Sequence, residues 1–167
     1  MAKNQTLKIT EMDRYLFGQG THYEIYKLMG AHPTKQKGKD GVYFAVWAPR
    51  AQEVAVVGDF NGWDPNENIM KCDNDMGIYQ LFIPGVKSGD LYKFCITSPS
   101  GELLYKADPY ANYAEKRPGN ASRVYDITNF KWNDSVWMKN RQNYDVNKNA
   151  MSIYEVHPGF MEKNVCL

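Results

Sequence analysis

From Gly41 to Ile127 the chain is written as short β-prone runs cut by turn residues, and this pattern confines it to an antiparallel β architecture. GVYFAVWAP stops at Pro49, EVAVVGDF breaks at Gly58, and GIYQLFIPG is bounded by Gly77 and Pro84. DLYKFCIT follows, then the turn Ser98-Pro99-Ser100-Gly101, a short run at Glu102–Tyr105, and SRVYDI. Turn signals every 8 to 15 residues or so predict an antiparallel sandwich. Alternation sets the faces. Tyr92, Phe94 and Ile96 share one face with Lys93 opposite, and Tyr79, Leu81 and Ile83 share one with Gln80 opposite, as in sheets with one wet side.

The flanks read differently. Residues 1–40 are expected to form a helical N-terminal segment. Thr10 caps EMDRYLF, Gly18 and Gly20 end it, and a second short helix covers HYEIYKLM. Pro33 to Gly41, rich in lysine, reads as a solvated connector. Residues 41–128 form the sandwich. Residues 129–167 hold a short helix in WNDSVWMKNRQ, capped at Asn133 or Asp134, a polar linker, and the isolated strand MSIYEVH. That strand is apolar on both faces, which belongs inside a parallel sheet, and no partner strand follows it.

The 20 Lys and Arg residues against 19 Asp and Glu leave a net charge of +1, so the chain lacks the basic footprint of a nucleic-acid binder. Apolar residues make up 43% of it, enough for a core, yet no run approaches a membrane span. MAKNQTLKIT has no secretory apolar region. Cys72, Cys95 and Cys166 are too few and too scattered for a disulfide framework or a zinc site, and reduced thiols in a cytoplasmic protein are expected.

VVGDFNGWDP (Val56–Pro65) is the most informative string. Gly58 and Gly62 permit sharp turns, Asn61-Gly62 is a tight-turn signal, and Trp63 falls at the tip. Trp63 either closes one end of the core or offers a platform to a flat ligand. A sugar ring, with a C–H face and a hydroxyl rim, suits such a platform, with Lys93, Asn61 or Asp59 as rim partners. In LLYKADPYA, Tyr105 and Tyr110 flank the Asp108-Pro109 turn and either pack on a neighbour or join such a surface. Glycoside chemistry needs paired carboxylates across one bond. Asp59, Asp64, Asp73, Asp75, Asp90 and Asp108 all sit beside Gly, Asn or Pro, where turn chemistry accounts for them. The residues offer no catalytic constellation and call for no metal or cofactor.

Taken together, YLFGQGTHYEIYKLMGAHP, GVYFAVWAPRAQEVAVVGDFNGWD, YKF, KADPYA, RPGNAS, WMKNR and MSIYEVH resemble, in order, the N-terminal region of bacterial 1,4-α-glucan (glycogen) branching enzymes. The resemblance runs from about Asp13 to His157. It implies an all-β, immunoglobulin-like antiparallel sandwich, a family-48 carbohydrate-binding module, over Gly41–Ile127. It also implies that MSIYEVH is the first strand of a (β/α)₈ catalytic barrel, truncated here where PGFMEKNVCL departs from the family pattern. Such enzymes serve glycogen biosynthesis as glycosyltransferases. Their Asp nucleophile and Glu acid/base lie on later barrel strands, so the chain by itself is expected to be inactive. The glycogen-binding subunit of the AMP-activated kinase shares the module, and its glucan contacts carry over to Trp63, Lys93 and Tyr105. Asn61 joins them as a candidate from the turn itself. The implied partners are α-1,4-glucan and, in longer family members, their own catalytic barrel, with no nucleic acid and no membrane. Three functions compete: an α-glucan-binding module, an active glycosyltransferase, and a structural docking domain without glucan affinity. The module of another α-amylase-superfamily enzyme is the remaining alternative.

Overall fold

The computed structural model describes residues 7–73, 76–128, 130–145 and 147–155, which fall into two compact units, 1–129 and 130–167. The first unit opens with α1 (Glu11–Gly18), started as expected at Thr10. The Thr10 hydroxyl accepts the Asp13 N–H, and the Asp13 carboxylate accepts the Thr10 N–H at 2.8 Å, a reciprocal cap. Burial alone would raise the Asp13 carboxyl, but the Thr10 donors and the adjacent His22 hold it below its ordinary value.

Among the described residues nine strands follow: β1 (Gly30–Gln36), β2 (Lys39–Trp47), β3 (Glu53–Gly58), β4 (Lys71–Asp73), β5 (Ile78–Pro84), β6 (Leu91–Thr97), β7 (Leu103–Lys106), β8 (Tyr113–Ala114) and β9 (Ser122–Arg123). One sheet has the order β1-β2-β5-β4. The other has β3-β6-β9-β8, with β7 beside β9 on the same edge of β6. Every pairing is antiparallel. The result is the expected all-β, immunoglobulin-like sandwich. Its interior takes Val42, Phe44 and Val46 from β2 and Val54 and Val56 from β3, with Tyr92 and Phe94 from β6. Of these, Tyr92 and Phe94 are positions that the sequence assigned to one face, and the residues of β2 and β3 follow the same alternation.

Four expectations are corrected. Pro33–Gly41 is not a connector: β1 and β2 form a hairpin across it, with Gln36 opposite Lys39. Exposed lysines and a proline tolerated on an edge strand disguised it. HYEIYKLM forms only a single 3₁₀ turn, Ile25–Lys27, because Gly30 already pairs with Ala45 and pulls the chain into a strand. The segment expected to be helical throughout 1–40 is therefore mixed. The four-stranded sheet does not have a wet side along its whole length. Ile9 and Met29 bury Tyr43, Ala45 and Ile78 of its outer face in a second core, joined by Phe17, Ile25 and Leu28. This explains why β2 is apolar at successive positions: both of its faces are covered. Lastly, SRVYDI pairs only at Ser122–Arg123.

A buried polar link crosses the second sheet. The Tyr92 hydroxyl donates to Asp108 Oδ2 at 2.6 Å, and Asp108 Oδ1 accepts the Tyr110 N–H at 2.8 Å. Asp108 thus goes beyond turn chemistry and anchors the β7–β8 connection to the core. Burial pushes its carboxyl up, against the Tyr92 and Tyr110 donors and the His32 charge, which pull it down. Tyr92→Phe should cost about 2 kcal/mol at neutral pH, the range for a hydrogen bond to a charged group. A carboxyl raised by folding contributes stability that is present below its unfolded value and lost as pH rises through the folded one. Removing the Tyr92 donor raises Asp108 further, so urea unfolding should show a smaller penalty below about pH 4. Equal penalties at both pH values would place the lost energy in packing instead.

In the second unit, α2 (Ser135–Arg141) occupies the expected position with Asp134 as its N-cap residue, though no side-chain cap hydrogen bond forms. The Arg141 guanidinium lies 5.4 Å from the Trp137 ring centroid. Met151–Glu155 has no strand pairing and is exposed, and Val156 and His157 of MSIYEVH lie outside the described residues. No helix among the described residues is long and apolar enough to cross a membrane.

Candidate functional site

The outer face of the five-stranded sheet collects three of the four candidates. Register fixes this. Val57 lies opposite Lys93, Ala55 opposite Cys95, and Cys95 opposite Tyr105, so these side chains share the face away from the core. Lys93 and Tyr105 are diagonal neighbours, about 7–8 Å apart at Cα. Tyr105 is 46% exposed and Lys93 is half-buried.

Trp63 reaches this face from the turn after β3. It packs on Ala55, Val57 and Cys95, outside the interior core, so it does not close the sandwich end. The local sequence dictates the route. A Cβ at Gly58 would lie 2.3 Å from the Leu91 carbonyl oxygen, so only glycine lets β3 run this close to β6 before the chain turns. The 3₁₀ turn Asp59–Asn61 then leads to Gly62 at φ +61° and Trp63 at φ +64°. A tryptophan in the left-handed region is strained by about 1–2 kcal/mol. The Trp63 N–H to the Gly58 carbonyl (3.1 Å) and the indole Nε1–H to Asp59 Oδ1 (3.2 Å) hold it there. Asp59 Oδ2 accepts the Leu91 N–H at 3.1 Å, fixing the clamp to β6.

Asn61 works differently from the other three. Its Oδ1 accepts the Gly58 N–H at 2.9 Å and its Nδ2 donates to the Val56 carbonyl at 3.0 Å. Its amide is committed to the turn, and its contribution to the face is the placement of Trp63. Lys93 Nζ donates to Asn120 Oδ1, which brings the 115–121 loop to the same rim. Asn120 escaped the sequence reading. RPGNAS was visible only as a string, because nothing local ties Asn120 to a strand far away in sequence.

The face is an open shelf: a strained indole on a small apolar patch, a tyrosine beside it, and an ammonium and an amide at the edge. It suits ring stacking with peripheral hydrogen bonds. It is not equipped for acid–base chemistry. Asp59 and Asp108 are engaged as above, Asp64 Oδ1 accepts the Asn66 N–H, Asp90 Oδ2 accepts the Lys87 N–H, and Asp73 pairs with Arg14 at 2.6 Å. Asp75 lies outside the described residues. Burial pushes the Cys95 thiol up, as befits a packing residue under the shelf.

Lys93→Ala tests the rim assignment. The side chain stands away from the core, so stability should change by no more than about 0.5 kcal/mol. Affinity for a hydroxyl-bearing ligand on this face should fall by about 1 kcal/mol, one hydrogen bond's worth. A large drop in melting temperature would instead make Lys93 a support of the fold.

A β-sandwich with an aromatic shelf on one sheet face is the architecture of a ligand-binding module, and comparison with known proteins gives its family. Residues 28–111 match carbohydrate-binding module 48 (isoamylase N-terminal domain), and the chain belongs to that family. It is 57% identical over 161 residues to the 1,4-alpha-glucan branching enzyme GlgB of Butyrivibrio fibrisolvens, covering 96% of this chain and 25% of that protein. To the GlgB of Halothermothrix orenii it is 53% identical, covering 90% and 24%. To that of Marinobacter nauticus it is 45% identical, covering 90% and 24%. The chain thus corresponds to the N-terminal part of branching enzymes and spans about a quarter of the length of these relatives.

Proposed function

We propose that the outer face of β3, β6 and β7 binds α-1,4-glucan chains such as glycogen, with Trp63 as the stacking platform. Tyr105 extends the platform, Lys93 and Asn120 hydrogen-bond the sugar rim, and Asn61 shapes the turn. The observation that carries this reading is the strained, clamped placement of Trp63 on an open sheet face beside Lys93. Backbone strain of this kind concentrates at binding sites. The similarity to branching enzymes supports glucan as the ligand and glycogen biosynthesis as the setting, and a cytoplasmic location is part of the same proposal. The free thiols of Cys72 and Cys95 agree with that compartment. In this reading the chain binds glucan without catalysing branching itself. The exposed Trp132, Trp137, Ile153 and Tyr154 of residues 130–155 support docking against a catalytic barrel in longer proteins.

Titration of maltoheptaose while following tryptophan fluorescence tests the reading. An open shelf with few polar contacts should give saturable binding with Kd in the millimolar to micromolar range, about −4 to −8 kcal/mol. No saturable change up to the solubility limit would leave the docking role alone.

A further inference from the structure

The sheet face that carries Trp63, Lys93 and Tyr105 continues past them to the short β8–β9 hairpin. Leu91 pairs with Arg123 and Arg123 with Tyr113, next to the row formed by Tyr92, Ser122 and Ala114. Tyr92 and Ser122 are buried, so Leu91, Arg123 and Tyr113 stand on the outer face with Lys93. Tyr125 follows the buried Val124 and is exposed. Its ring meets that of Tyr113 with the centroids 5.4 Å apart and the planes inclined at 38°.

Three observations set this pair apart from tyrosines scattered singly over a surface. First, the two rings form one aromatic ledge, 52% and 48% exposed, while the interior core takes Val124 and leaves both rings out. Second, the ledge is held in place. The Arg123 guanidinium lies 5.8 Å from the Tyr113 ring centroid and donates through Nη1 to the Gly89 carbonyl at 2.8 Å. Third, the hairpin is tied to the rim of the shelf, because the connection between β8 and β9 carries Asn120, whose Oδ1 accepts from Lys93 Nζ. Tyr113 lies two strands over from β6 and two residues along from Lys93, about 12 Å at Cα. Trp63 lies on the other flank of Lys93, over β3. Lys93 and Asn120 thus stand between two aromatic surfaces on one sheet face.

We propose that Tyr113 and Tyr125 form a second stacking subsite for the same α-1,4-glucan chain, which runs from Trp63 past Lys93 and Asn120 to the hairpin edge. The inference rests on the glucan reading of the shelf and adds its extent: the face is built for chains of several sugar rings. A ring stacked at one subsite holds the rest of its chain at high effective concentration over the other, so affinity rises with chain length once the span is covered.

Maltotriose and maltoheptaose titrated separately into the full chain, followed by tryptophan fluorescence, test it. Maltoheptaose should bind the parent chain about tenfold more tightly than maltotriose. Tyr113→Ala/Tyr125→Ala should weaken maltoheptaose binding about fivefold, the scale of one aromatic contact, and leave maltotriose binding unchanged. Tyr125→Ala alone, at a position outside the strands, should give a smaller loss with the same selectivity, and it decides the matter if the double variant does not fold. The proposal is overturned if maltoheptaose binds no more tightly than maltotriose. It is also overturned if the variants bind maltoheptaose like the parent chain, which would leave the tyrosines to contact with a protein partner. Equal losses for both sugars would overturn it as well and make the pair a support of the Asn120 loop. Maltotriose binding that Trp63→Ala abolishes keeps the shelf reading whatever the tyrosine variants do, whereas a parent chain that binds neither sugar sinks both.

Discussion

Phe44→Ala should cost about 3–5 kcal/mol, a large share of the total stability of a domain this size. Phe44 is fully buried at the centre of the interior core, from the middle strand pair of one sheet. Its ring meets Tyr92 of the opposite sheet edge-to-face at 5.1 Å, and Phe60 at 6.2 Å. Removing it empties the contact that joins the two sheets, and the surroundings relax only partly because β2, β5 and β6 are each paired with strands on both sides. It also removes the aromatic neighbour of Tyr92, the residue that holds Asp108. Urea unfolding followed by circular dichroism should show the midpoint falling sharply, or no folded baseline at all. A loss under about 1 kcal/mol would mean that the sheets are held together elsewhere.

Trp63→Ala should have the opposite profile: binding lost, fold kept. The side chain rests on Ala55, Val57 and Cys95, on the solvent side of the sheet. Its loss should cost about 1–2 kcal/mol of stability from partial burial, because the interior core is untouched. Binding of maltoheptaose should become undetectable, because stacking area is the main attraction a shallow shelf can offer a sugar face. Far-UV spectra and the affinity are measured on the same sample. Collapse of the spectrum would return Trp63 to the role of a core residue.

The sandwich was largely legible in the sequence because antiparallel strands with one buried face leave an alternating record. Val54 and Val56 point in while Ala55 and Val57 point out, and Tyr92 and Phe94 oppose Lys93 in the same way. What the pattern hid is what tertiary contacts decide. The β1–β2 hairpin looked like a solvated loop because an edge strand needs no apolar residues. The cover over Tyr43 and Ala45 comes from Ile9 and Met29, which carry no local sign of their destination. The position of Lys93 on the shelf followed from alternation alone. That Trp63 shares the shelf did not, because a left-handed angle at a tryptophan follows no propensity rule. Asn61 was readable as a turn residue, and that is the work its amide does. Asn120 required the register of β9 against β6 to be known.

Mapping the amide shifts of the ¹⁵N-labelled chain on titration with maltoheptaose tests the central claim most directly. Saturable shifts should cluster at Ala55, Val57, Lys93, Cys95 and Tyr105, with the Trp63 indole N–H and the Asn120 side-chain amide moving along the same isotherm. Shifts confined to the four-stranded sheet, or spread with no common isotherm, would contradict the assignment of the β3–β6–β7 face as the glucan-binding surface.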